Sequence, residues 1–70
     1  MTQCKECERL RAEVQDTLTR LTLITMAQLH AFHAEDDEKF LQLDKELETA
    51  VGTKERTIGA MRQHKREHAA

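Results

Sequence analysis

Seventy residues make one domain, 1–70, and a domain this short is hard to stabilise by burial alone. Hydrophobic residues form 39% of the chain, with two phenylalanines and no tryptophan or tyrosine, so a metal, a disulfide or a partner chain is expected to supplement a thin core. Eleven basic against thirteen acidic residues leave a net charge of −2, which argues against a nucleic-acid partner or an anionic membrane. Proline, serine and asparagine are absent, and Gly52 and Gly59 are the only glycines. Without turn chemistry an all-β domain is excluded, and the abundance of Glu, Lys, Arg, Gln, Ala and Leu predicts an all-α one. Apolar runs are short and residues 1–11 are charged, so neither a membrane span nor a signal peptide is expected. The expected location is cytoplasmic, where thiols stay reduced.

The first helix is expected over about 5–34. Its apolar positions Leu10, Val14, Leu18, Leu21, Leu29 and Phe32 follow steps of three and four or their sums, and Leu23, Ile24 and Met26 widen the stripe. A turn is expected at about 35–37, where Glu35, Asp36, Asp37 and Glu38 supply an aspartate N-cap and negative charge suited to a helix N-terminus. The second helix is expected over about 37–68. There Phe40, Leu43, Leu47, Ala50, Lys54, Thr57, Met61, His64 and His68 alternate steps of three and four without a break, so the two histidines continue the inward face. Gly52 and Gly59 weaken this helix by roughly 1 kcal/mol each relative to alanine, yet the periodicity passes through both, which favours an unkinked helix.

An antiparallel two-helix hairpin is therefore the expected fold. The alternative is a single long helix in an antiparallel coiled-coil dimer, because no glycine or proline enforces the turn and Phe32, Asp36, Lys39 and Leu43 keep the heptad spacing. Asp36 and Lys39 would then be consecutive polar residues in the seam, which favours the hairpin.

Cys4 and Cys7 stand two residues apart, and His64 and His68 lie four apart on one helical face. Thiolate and imidazole are the ligands tetrahedral zinc prefers, and two of each close a structural site. The midpoint of Cys4 and His68 is residue 36 and that of Cys7 and His64 is 35.5, so a fold at the acidic cluster brings the pairs together. Zinc or another divalent transition metal is the expected cofactor, held by Cys4, Cys7, His64 and His68.

Competing readings of the same residues are weaker. Cys4 and Cys7 as small apolar groups, with the histidines merely suiting a helix C-terminus, leave the mirrored spacing unexplained. A redox or metal-sensing Cys-x-x-Cys switch at a helix N-terminus is a further alternative, but a thioredoxin-like context needs strands. His64-Lys65-Arg66-Glu67-His68 matches the inverted zinc-peptidase pattern, yet such an enzyme needs an open coordination position and a cleft. No catalytic residue is therefore expected. His30 and His33 beside Asp36 and Asp37 read as solvated groups at helix ends. Residues 54–66 hold five bases and one acid without interleaved aromatics, which is ordinary helix electrostatics.

The order of Cys-x-x-Cys, a heptad-like run and a terminal His-x-x-x-His resembles short uncharacterised bacterial two-helix proteins. That resemblance implies the hairpin and the metal and brings no activity with it. The expected function is a small non-enzymatic metal-binding interaction or scaffolding module, open to an unidentified protein partner. The alternative is a metal-free homodimer. Leu23, Met26, Leu41, Val51 and Ile58 lie beyond a minimal seam, so pairing as a four-helix bundle is expected.

Overall fold

The structure is a computed structural model; it describes residues 4–69, and their side chains as far as residue 67. Helix α1 spans Lys5–His33 and helix α2 spans Asp37–Ala69, packed antiparallel as a hairpin 51 × 18 × 12 Å. The smallest dimension is that of one helix with its side chains. No large side chain among the described residues is therefore wholly withdrawn from water. None of their helices is long and apolar enough to cross a membrane.

The connection forms without glycine. Ala34 caps α1, Glu35 takes the left-handed conformation at φ 58°, and Asp36 follows. The Glu35 N–H donates to the Phe32 carbonyl at 3.1 Å, and the Asp36 N–H donates to the Ala31 carbonyl at 2.9 Å. This pair of bonds is the Schellman motif, which satisfies carbonyls that the helix end would otherwise leave open. Asp36 then caps α2, its carboxylate accepting the Lys39 N–H at 3.1 Å. Acidic residues thus serve both sides of the turn, and the hairpin prevails over the straight helix. Only Glu35 is out of place, since a β-carbon in the left-handed region costs roughly 1–2 kcal/mol. Glu35→Gly is expected to stabilise the chain by about 0.5–1 kcal/mol, read as a higher urea midpoint at unchanged slope. An unchanged or lower midpoint would contradict that account.

The seam of α2 follows the expected stripe: Leu43 and Ala50 are buried, and Phe40, Leu47, Lys54, Thr57, Met61 and His64 are half-buried. The seam of α1 departs from expectation. Its inward positions are Cys7, Leu10, Val14, Thr17, Leu21, Ile24, Gln28 and Ala31, which keep a seven-residue period throughout. Leu18, Leu29 and Phe32 are left 44%, 56% and 62% exposed, although the sequence reading placed them in the buried stripe.

Local bonding explains the exchange. Thr17 is buried because its hydroxyl donates to the Glu13 carbonyl at 2.8 Å, so its polarity is spent within its own helix. Gln28 is buried because its amide donates to Asp44 of α2 at 3.1 Å. Ala31, next to the turn, is buried and small enough for the helices to approach closely. No buried side-chain nitrogen or oxygen among the described residues lacks a hydrogen bond.

Candidate metal centre at the open end

Both helix ends away from the turn converge. Cys4 is the N-cap of α1 in an extended conformation, and its carbonyl accepts the Glu8 N–H at 3.1 Å. An N-cap side chain usually turns back to the first-turn amides, but Cys4 makes no such bond. Its sulfur lies 3.4 Å from His64 Nε2, and Cys7 Sγ lies 3.1 Å from the same nitrogen. Residues 60 and 57 positions apart in sequence thereby meet at one imidazole nitrogen. The three ligand atoms all lie within 4.8 Å of one another, and the three residues are half-buried.

These separations suit a tetrahedral ion. Zinc–sulfur bonds of about 2.3 Å and zinc–nitrogen bonds of about 2.0–2.1 Å set adjacent sulfur and nitrogen roughly 3.5 Å apart. An ion would need to widen the observed contacts only slightly, and imidazole Nε2 already faces the sulfurs. Three of the four expected ligands are thus brought together. His68 lies on α2 one turn beyond His64, but its side chain falls outside the described residues.

The electrostatics around the sulfurs are mixed. Burial is the largest influence raising the Cys7 thiol above its ordinary pKa, followed by the hydrogen bond and charge of Cys4 and the charge of Glu6; Lys65 acts weakly in the opposite direction. A lone reactive thiolate is disfavoured in that setting, whereas a divalent cation would supply the missing positive charge. The first turn is braced by Arg9, which bonds Glu6 and also Glu13, the latter at 2.6 Å. That hydrogen bond to Arg9 is the main reason Glu6 is held below the usual carboxylate range. All three side chains are about half-exposed, so the network orders the turn more than it stabilises the fold. The sequence reading missed this brace, though spacings of three and four between opposite charges carry its signal.

His30 and His33 lie in the last turn of α1 and both are exposed. Among the described residues, Cys4, Cys7 and His64 are the group placed to hold a metal. No family model, curated protein or solved structure matches this chain.

Proposed function

We propose that this chain is a small, non-enzymatic, metal-stapled helical hairpin, acting as an interaction or scaffolding module in a reducing compartment such as the cytoplasm. The observation that carries the reading is the meeting of Cys4 and Cys7 with His64 Nε2 at 3.4 and 3.1 Å. Zinc is the metal whose preferred ligands and geometry fit best. His68, four residues beyond His64 on the same helix, is the fourth ligand in this reading, which closes the shell and leaves no position for a reactive water.

The energetic need is plain from the core. Among the described residues Leu10, Ala31, Leu43 and Ala50 are the buried hydrophobic side chains, and a leucine contributes at most about 3 kcal/mol on burial. Structural zinc provides roughly 10–16 kcal/mol of apparent folding energy in finger peptides. A staple at the end farthest from the turn acts where the hairpin would otherwise fray.

Titration with cobalt tests the assignment. One equivalent per chain is expected, with thiolate charge-transfer bands and tetrahedral d–d absorption, and zinc is expected to displace it. Less than a tenth of an equivalent bound, for both cobalt and zinc, would defeat the proposal.

A further inference from the structure

The hairpin has two unlike flanks. On one, a groove of 830 Å³ runs between the helices, lined by Val14, Leu18 and Met61 and rimmed by Arg11 and Lys65. On the other, the seam residues Ile24 and Ala50 are flanked by Asp16, Arg20, Glu46, Thr49 and Thr53, so the two flanks differ in their outer residues. The seven-residue period keeps each flank on one side along the whole length. Steps of seven from Leu18 reach Phe32, and one step from Thr22, also in the groove lining, reaches Leu29. Steps back from Lys65 pass through Ile58, Val51 and Asp44, and Leu41 lies one turn before Asp44. The first flank therefore collects Leu18, Leu29, Phe32, Leu41, Val51 and Ile58. Leu23 follows Asp16 onto the polar flank, apart from the Leu41, Val51 and Ile58 with which the sequence reading grouped it.

Charge is also divided along the axis. Residues 21–53, the half nearer the turn, hold seven acids and two bases, and the remainder holds nine bases and six acids. The turn half thus carries −5 and the open half +3. At the turn end Phe32 stands out, its ring 6.0 Å from that of Phe40 and the residue 62% exposed. Asp37 and Glu38 open α2 just across the turn, while the groove toward the open end is lined by Arg11 and Lys65 against the single acid Glu8.

We infer that the apolar flank binds a second copy of this chain, antiparallel and related by a two-fold axis, with Phe32 and Leu29 of each copy seated in the groove beside Leu18 and Met61 of the other. The charge division selects this orientation. A parallel pair would set −5 against −5, whereas the antiparallel pair sets Asp37 and Glu38 against Arg11 and Lys65. At 1.5 Å per residue Phe32 lies roughly 5 Å from the turn and Met61 about 37 Å from it, so seating one on the other overlaps roughly 40 Å of the hairpin. With a width of 18 Å that strip buries ~1,400 Å² over both copies, inside the range of stable interfaces of about 1,200–2,000 Å². Cys7 and His64 lie in the seam between the helices and Cys4 faces His64, so a contact on the flank uses none of the three. Its failure would leave the metal assignment standing, and failure of the metal assignment is read separately by titration.

Sedimentation equilibrium of the whole chain in zinc-containing buffer is the test, with helicity followed by circular dichroism. The parent chain of 8.1 kDa is expected to sediment at twice that mass at tens of micromolar. Phe32→Glu is expected to give a helical monomer, and Leu23→Glu to leave the dimer intact. Arg11→Glu with Lys65→Glu places acids against acids and should weaken association about tenfold or more. Adding Asp37→Lys and Glu38→Lys to that double variant should restore affinity to within roughly threefold of the parent. A parent that stays monomeric overturns the proposal and leaves the flank to a different protein. Insensitivity of the dimer to the Arg11 and Lys65 reversals overturns the antiparallel arrangement, since in a parallel pair reversing both rims only replaces one repulsion by another.

Discussion

Replacing His64 by alanine is expected to lower the melting temperature of the zinc-loaded chain by roughly 12–24 °C. The loss follows from its position, because Nε2 of His64 is the atom at which both sulfurs converge. Removing a residue that only hydrogen-bonds a metal ligand typically costs about 10–100-fold in affinity, and removing a ligand should cost more. A loss of about 3 kcal/mol is a hundredfold or more in binding, and in a chain of this size each kcal/mol shifts the midpoint by roughly 4–8 °C. Cys4→Ala and Cys7→Ala are expected to act in the same direction. The decisive comparison is with chelator present. In excess EDTA the parent and the His64→Ala chain should melt within a few degrees of one another, because the staple is then absent from both. A difference of the same size with and without chelator would assign the stabilisation to the Cys–His contacts themselves and remove the metal from the account.

Leu10→Ala is expected to destabilise the hairpin by about 2–3 kcal/mol, at the low end of large-to-small core substitutions because a molecule one helix thick can partly close the gap. Leu10 is 5% exposed and lies one helical turn after Cys7, so its packing also fixes the height of the sulfur opposite His64. Metal affinity should therefore fall together with stability. Leu23→Ala is the matched control: the same atoms are removed from a residue 61% exposed, and a change within about 0.5 kcal/mol is expected. Urea unfolding at fixed zinc concentration measures both. Equal losses for the two variants would mean that Leu10 is not part of a packed layer and that the seam assigned to α1 is wrong.

Much of the architecture can be read from the chain alone, for reasons that are local. Helix-forming residues without proline, serine or asparagine leave no competing structure, and the acidic cluster caps a helix start, which puts the break at Asp36. The stripe of α2 is legible because Phe40, Leu43, Leu47, Ala50 and Met61 keep one phase that His64 inherits, with Leu41, Val51 and Ile58 beside it. Mirror spacing of the cysteines and histidines about residue 36 then places them at one end of any hairpin broken there.

The phase of α1 is not a local property. Leu10, Val14, Leu21 and Ile24 define one apolar phase, and Leu18, Leu29 and Phe32 define a second one beside it. Hydrophobicity alone does not rank the two, and the structure leaves Leu18, Leu29 and Phe32 exposed. What decides is the partner across the seam. Asp44 of α2 accepts the Gln28 amide, which turns a polar side chain inward, and Ala31, whose carbonyl accepts the Asp36 N–H of the turn, is buried. The left-handed Glu35 is equally invisible in sequence, since the residue type ordinarily found there is glycine and the strain is tolerated only because the helices flanking it are already paired. Sequence periodicity specifies which faces can be buried; only packing two helices together selects which one is.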